Sequence, residues 1–382
     1  MRLTLVIASL GRGGAERTAS VLAGAWAEQG NEVTLITLTI DDVPAYPLHS
    51  AISLRQLKVR GGVAKNMLHG VVRQLRTVRA LRAAICQSEP NVIISFMDIP
   101  NVLTLLAARG LDIPVIVTEH THPAYYRIGW AWETLRRFVY HRANALVCMT
   151  KPALAWFQQR IKVNGYVIPN PVSLPPSRAQ TGEQKTERET GRTIIAMGRL
   201  SREKGFDLLL DSFSRIAHLH PDWILKILGD GPLRSDLEAQ IEELNLIGRA
   251  ELAGAVYDPF PMLYGADLFV FSSRFEGFGN ALCEAMACGL PVISFDCPSG
   301  PRDIIRHEVD GLLVAAEDVA SLAAAMDRLM SDPGARIRLA QHAPEVVSRF
   351  SLKRILNSWD KLFGEAALKV SNDGIRPVER NR

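Results

Sequence analysis

The chain has 382 residues, 47% hydrophobic and 22% charged, with a formal net charge of +4. This length suits two domains, the composition is that of an ordinary soluble globular protein, and no apolar run reaches the ~18 residues of a membrane span. The five cysteines, Cys86, Cys148, Cys283, Cys288 and Cys297, are scattered and form no C-x-x-C, which argues against a disulfide framework or zinc site and for a reducing cytoplasm. The modest net charge hides a split. Residues 1–171 carry 19 Lys/Arg and 10 Asp/Glu, a net of +9, and residues 172–382 carry 25 and 30, a net of −5. An anionic partner for the first half follows, and a phosphate-bearing acceptor or anionic membrane fits better than nucleic acid.

The N-terminus lacks a basic leader and a small-residue cleavage site, so it reads as the first strand of a mature cytosolic protein. Leu3 to Ser9 is that strand. The turn Gly11-Arg12-Gly13-Gly14-Ala15-Glu16-Arg17 follows, then a helix to about Gln29 and a strand from Val33 to Thr39. This βαβ opening predicts a doubly wound parallel sheet. The turn is not G-x-G-x-x-G, so it is a poor dinucleotide site. Lys65 to Cys86 reads as a long helix with Val71, Leu75, Val78, Leu81 and Ile85 on its apolar face. Arg73, Arg76, Arg79 and Arg82 lie beside that face, and in a basic half-chain they suit an anionic acceptor or lipid headgroups. Val92 to Met97, Val115 to Thr118 and Ala145 to Met149 read as further strands. Thr118-Glu119-His120 ends the second, where ligands of such sheets sit, with His122 close by. Pro123 to Arg142 mixes Tyr125, Tyr126, Trp130, Trp132, Phe138 and Tyr140 with Arg127, Arg136, Arg137 and Arg142. That mixture suits a membrane interface and hence a membrane-attached acceptor. Pro175 to Arg192 is polar, without an apolar period, and reads as a linker.

The second half opens with a strand from Thr193 to Met197 and the loop Gly198-Arg199-Leu200-Ser201-Arg202-Glu203-Lys204-Gly205. Arg199 and Lys204 place two cations at the strand's carboxyl end, ahead of a helix from Phe206 to Leu219, and suit a diphosphate. Ile224 to Leu228 and Ala250 to Gly254 are strands. Asp267 to Phe271 is a buried strand, followed by a loop with Glu276, Gly277 and Gly279. Asn280 to Cys288 is a short helix with Gly289 as its cap, and Pro291 to Phe295 is the next strand. A Gly loop before a helix N-terminus holds phosphate through free N–H groups and the helix dipole. The flanking carboxylates, Glu276 and Glu284, suit sugar hydroxyls instead. Together they point to a phosphate flanked by polyols, as in a nucleotide sugar. A last helix follows Ser351, and the chain from Lys369 is polar and reads as a disordered tail.

Glu276-x7-Glu284, followed by Ala285-Met286-Ala287-Cys288-Gly289-Leu290-Pro291-Val292-Ile293, resembles retaining glycosyltransferases of family 4 with the GT-B fold. Pro298-Ser299-Gly300-Pro301-Arg302-Asp303 is similar to a segment of bacterial polysaccharide and lipid-linked oligosaccharide transferases. The resemblance implies an α/β fold of two Rossmann-like doubly wound parallel-sheet domains facing a central cleft. Residues 1–171 would bind acceptor, 172–350 would bind donor, 351–368 would form a helix packed back on the first domain, and 369–382 would be the tail. It implies transfer of a hexose or N-acetylhexosamine from a UDP-sugar to a polyprenyl-diphosphate-linked glycan, with retention and no protein nucleophile. His120, Glu276, Arg199 and Lys204 would be catalytic. Gly13, Gly14, Gly254, Gly279, Asn280, Ala281, Leu282 and Glu284 would bind donor. The residues themselves suggest Arg73, Arg76, Arg79, Arg127, Arg136 and Arg137 for an acceptor or membrane surface. The family often has Pro where Arg202 stands, which leaves both cations in place. No Asp-x-Asp pair is present, so no metal is expected. A nucleotide-sugar epimerase, or a non-catalytic glycan- or lipid-binding relative, is the alternative.

Overall fold

The structure, a computed structural model, describes residues 1–11, 13–39, 43–59, 67–172, 175 and 192–373, with side chains as far as residue 365 apart from those of 67 and 68. The chain forms two units, Met1–Pro171 with Lys353–Arg382, and Val172–Leu352. Most of the expected linker and the last part of the expected tail lie outside the described residues.

The first unit is built on seven strands: β1 (Arg2–Ile7), β2 (Glu32–Thr37), β3 (Ser53–Gln56), β4 (Val92–Phe96), β5 (Val115–Glu119), β6 (Ala145–Cys148) and β7 (Gly165–Val167). Their order is β3-β2-β1-β4-β5-β6-β7, all pairs parallel. The central strands are apolar runs because helices cover both faces and leave no wet side for polar residues. The edge strands β3 and β7 escaped the sequence reading for the opposite reason. They are short and half-exposed, so no apolar run or alternation marks them. The C-terminal helix, Leu352–Asp373, belongs to this unit and stays helical past Lys369. Its Trp359 meets Trp26 edge to face at 5.6 Å, and Phe363 lies 5.5 Å from the same ring.

The helix Met67–Ser88 corrects one expectation. Leu81 and Ile85 are buried, but Val71 and Leu75 are exposed, Leu75 to 53%. The neighbouring helix, Asp98–Ala107, has 10 residues against 22. At 1.5 Å per residue it can cover only about half of the longer one, which leaves Val71 and Leu75 uncovered by it.

The second unit has β8 (Arg192–Met197), β9 (Trp223–Leu228), β10 (Ala250–Gly254), β11 (Leu268–Phe271), β12 (Val292–Asp296) and β13 (Leu312–Ala315), in the order β10-β9-β8-β11-β12-β13 and again all parallel. The helix after the β8 loop ends at Ile216 and tightens into a 3-10 turn over Ala217–Leu219. Both sheets are therefore doubly wound and Rossmann-like. In each, the order in which strands are added reverses beside the first strand, between β1 and β4 and between β8 and β11, and such a reversal opens a crevice at the strands' carboxyl ends.

Candidate active site

In the second unit the crevice lies between the loops that leave β8 and β11. Two glycines let the first loop pack. Gly229, with φ at +143°, would carry a Cβ 1.8 Å from the carbonyl oxygen of Gly198, and Gly205, at +61°, one 2.1 Å from that of Ser272. Any side chain at either position would push the loop off its neighbour. Across the crevice, Lys204 Nζ lies 2.6 Å from Glu276 Oε1, and Ser273 Oγ donates to the same oxygen at 2.7 Å. Glu276 Oε2 has no protein partner among the described residues. Ser272 Oγ donates to the carbonyl of Lys204 at 2.9 Å. Arg199, in the β8 loop, is exposed and makes no ion pair among the described residues. The pair of serines was missed from sequence, although two hydroxyls straight after a buried apolar strand are a polar signal at a carboxyl end.

The helix Asn280–Ala287 begins beside Glu276, with Gly279 at its N-cap and no side-chain cap. Within its first turn the N–H groups of Ala281 and Leu282 have no helical carbonyl four residues back. Leu282 offers only that N–H, because its side chain is wholly buried. Asn280 and Glu284 are four residues apart and share a face. Gly254 ends β10 at φ +81° and accepts a hydrogen bond from Gly229 N at 2.7 Å, at the same edge but two strands from the β8 loop. Arg302 lies on Asp296, Nε to Oδ1 3.0 Å, just past β12.

In the first unit Gly13 caps the helix Gly14–Glu28, straight after β1. A Cβ on Gly13 would fall 2.1 Å from Glu16 Oε2. The carboxylate of Glu16 therefore folds over the Gly-Gly turn, as a third-position acidic residue does in a capping box, and a phosphate could enter only by displacing it.

His120 follows β5. Its Nε2 lies 3.0 Å from Thr118 Oγ1, and that hydroxyl already donates to Ser95 O at 3.0 Å. The imidazole must therefore donate from Nε2, which leaves Nδ1 a lone-pair acceptor. That atom is buried and has no partner among the described residues. Burial lowers the His120 pKa to about 4, so the ring is neutral at physiological pH. His122 differs: its Nδ1 accepts from Ala124 N at 3.3 Å, within the turn. Behind His120, Glu119 is buried and accepts from the Tyr140 hydroxyl. Burial raises the Glu119 pKa to about 7, against the lowering effect of Arg136 3.7 Å away.

Arg136 corrects the surface expectation, being 1% exposed. In the helix Trp130–Val139 its position turns inward, where it meets Glu119 and Glu133 and lies over Phe157 at 5.1 Å. Arg76, Arg79, Arg127 and Arg137 are exposed, and Arg73 is half-buried. On the helix that carries Arg137, Trp130 is 81% and Phe138 69% exposed. Among the described residues no helix is long and apolar enough to cross a membrane.

Residues 12–174 match the family Glycosyltransferase Family 4, and residues 177–346 match Glycosyl transferases group 1. The chain is 28% identical over 373 residues to the GalNAc-alpha-(1->4)-GalNAc-alpha-(1->3)-diNAcBac-PP-undecaprenol alpha-1,4-N-acetyl-D-galactosaminyltransferase of Campylobacter jejuni, over 96% of this chain and 99% of that one. Among solved structures it is similar to sucrose-phosphate synthase from Thermosynechococcus elongatus, with a TM-score of 0.80, 22% identity and coverage of 96% and 99%. It is also similar to Anabaena Alr3699/HepE in complex with UDP, at 0.77 and 18%, covering 95% and 100%. The fold is that of GT-B glycosyltransferases.

Proposed function

We infer that this chain, whose two halves are glycosyltransferase domains, moves a hexose or N-acetylhexosamine from a UDP-sugar to a lipid-linked glycan during oligosaccharide or polysaccharide assembly. The observation that carries this reading is the meeting of Lys204 and Glu276 at the β8/β11 crevice, just ahead in the chain of a helix N-terminus that carries no side-chain cap. Cations and a helix N-terminus suit a departing diphosphate, and a carboxylate suits sugar hydroxyls. The UDP bound to the Anabaena protein and the undecaprenyl-diphosphate glycan in the name of the Campylobacter enzyme favour this donor and acceptor.

In the proposed reaction the bond from the anomeric carbon to the diphosphate oxygen breaks while the acceptor oxygen bonds to that carbon. Attack on the face of departure retains configuration, and the acceptor proton passes to the leaving phosphate. Arg199, Lys204 and the N–H groups of Ala281 and Leu282 stabilise the charge that develops on the diphosphate. Lys204 has three N–H donors and spends one on Glu276, so two remain for phosphate. Glu284 holds the ribose, and Glu276 Oε2 holds a sugar hydroxyl. In the first unit, His120 offers Nδ1 as a neutral hydrogen-bond acceptor to a ligand hydroxyl rather than supplying charge. In the second unit Gly254 completes the donor set, and in the first unit the Gly13-Gly14 turn suits a phosphate once Glu16 is displaced. Two cations serve the diphosphate, and the reaction needs no metal. Trp130, Phe138, Arg127, Arg137, Arg76 and Arg79 form the contact with an anionic membrane.

The test is thermal stabilisation by UDP, other nucleotides and UDP-sugars, with Glu284→Ala alongside. A ligand at a hundredfold excess over its Kd stabilises by ~2.7 kcal/mol. A UDP-specific shift that the variant loses supports the reading. A chain that responds to no nucleotide is a binding relative, and one that interconverts UDP-sugars without acceptor is an epimerase.

A further inference from the structure

Lys204 and Glu276 sit on loops that leave different strands, so their meeting depends on how firmly those loops are fastened together. Arg274 makes most of the fastenings. Its guanidinium reaches Asp207 through two parallel bonds, NH1 to Oδ1 at 2.7 Å and NH2 to Oδ2 at 2.6 Å. NH1 also donates to the carbonyl of Arg202 at 2.9 Å, and Nε to Glu317 Oε2 at 2.9 Å. The backbone N–H of Arg274 donates to the carbonyl of Glu203 at 2.8 Å. The loop that carries Lys204 is thus held at the two residues before the lysine and, at Asp207, at the start of the next helix. The arginine side chain is 14% exposed, whereas its partners Asp207 and Glu317 are 41% and 55% exposed.

We propose, resting on the donor-site reading above, that Arg274 is a positioning residue for sugar transfer: it holds the Lys204 loop against the Glu276 loop, so that ammonium and carboxylate stand where the departing diphosphate and the sugar need them. A planar fork with five donors can serve a carboxylate, a carbonyl and a second carboxylate at once. An ammonium on a flexible stem cannot reproduce that geometry. Burial pulls the Asp207 carboxyl upward, yet the Arg274 bonds and charge outweigh it and leave its pKa below the ordinary value. The two groups are therefore paired as ions throughout the neutral range.

The experiment uses the full chain as wild type, Arg274→Lys, Arg274→Met, Lys204→Ala and Arg328→Lys. Arg328 makes a similar two-pronged pair, with Glu308 at 2.6 and 2.9 Å, on the helix Val319–Ser331, and controls for loss of an ion pair as such. Melting temperature, UDP affinity by calorimetry, and release of UDP from UDP-glucose, UDP-galactose and their N-acetylamino forms are measured below every variant's transition. A displacement on the order of 1 Å costs roughly a hundredfold in rate. Arg274→Lys should therefore lose roughly 10–100-fold in kcat, with its donor KM and UDP affinity within about threefold of wild type, while Arg328→Lys turns over normally. If Arg274→Met fails to fold, Arg274→Lys carries the comparison. Wild-type kcat in Arg274→Lys, or a loss no larger than that of Arg328→Lys, overturns the positioning role. If Lys204→Ala also turns over normally, it is the donor-site reading that has failed. If Lys204→Ala is inactive and Arg274→Lys is not, the positioning role alone has failed.

Discussion

Lys204 Nζ and Glu276 Oε1 lie 2.6 Å apart, and this contact brings a cation of the loop after β8 against a carboxylate of the loop after β11. Their side chains are 21% and 11% exposed. Each therefore depends on the other for part of its lost hydration. Lys204→Ala should lower kcat about 10²–10³-fold, the usual loss when one stabiliser of developing charge is removed. Glu276→Gln should keep the fold and weaken the use of the sugar, seen as lost turnover with UDP affinity retained. Turnover within twofold of wild type in either variant would remove the pair from the mechanism.

The acid side of the stability profile should show two buried groups pulling in opposite senses. Glu119 has its pKa raised from 4.5 to about 7, so its contribution is fully present below pH 4.5 and is lost as pH rises through 7. His120 has its pKa lowered from 6.5 to about 4, so its contribution is present above pH 6.5 and is lost as pH falls through 4. Between pH 4.5 and 6.5 they offset each other. Glu119→Gln should make stability rise more steeply with pH across this window than wild type, and His120→Asn less steeply. Urea unfolding at three pH values measures the slopes, and parallel slopes in all three proteins would refute the assignment.

Trp359→Ala should destabilise the first unit by roughly 3–5 kcal/mol, because a large buried ring is deleted from contacts that cannot close up. Trp359 is buried against both Trp26 and Phe363. Equilibrium denaturation followed by tryptophan fluorescence gives the number. A loss below about 1 kcal/mol, the level of an ordinary surface change, would mean that the C-terminal helix is not part of this core.

Two arginines one residue apart should behave in opposite ways. Arg137→Glu, at an exposed site, should leave the melting temperature nearly unchanged and reduce binding to phosphatidylglycerol/phosphatidylcholine vesicles, at about 1 kcal/mol for each charge near the surface. Trp130→Ala should reduce it as well. Arg136→Glu would bury a third carboxylate beside Glu119 and Glu133, and should unfold the unit. Cosedimentation and calorimetry separate the two effects. Undiminished vesicle binding by both surface variants would dismiss the membrane contact.

Much of the fold was legible because its signals are local. Apolar runs such as Val92 to Phe96 and Leu268 to Phe271, broken by Gly-rich turns and helical periods, report strand, turn and helix within a few residues. The site was legible in part for the same reason: Arg199, Lys204, Glu276 and the start of the Asn280 helix all follow strand ends. The polar edge strand Ser53–Gln56 was hidden because a half-exposed edge needs no apolar signal. The exposure of Val71 and Leu75 was hidden because it depends on the length of a neighbouring helix.

The sequence by itself determined two doubly wound parallel sheets, the carboxyl ends at which chemistry gathers, and the residue types available there. Those properties follow from hydrophobic period and from turn chemistry between adjacent residues. Only the tertiary structure decided that Arg136 is buried while Arg137 is exposed, that Glu16 folds over Gly13, and that Arg274 grips Asp207. It also decided that Lys204 meets Glu276. Such pairings join residues through helix facing and sheet order. The order β9-β8-β11 brings together loops that are far apart in the chain, and no local pattern encodes which side chains will meet once they arrive.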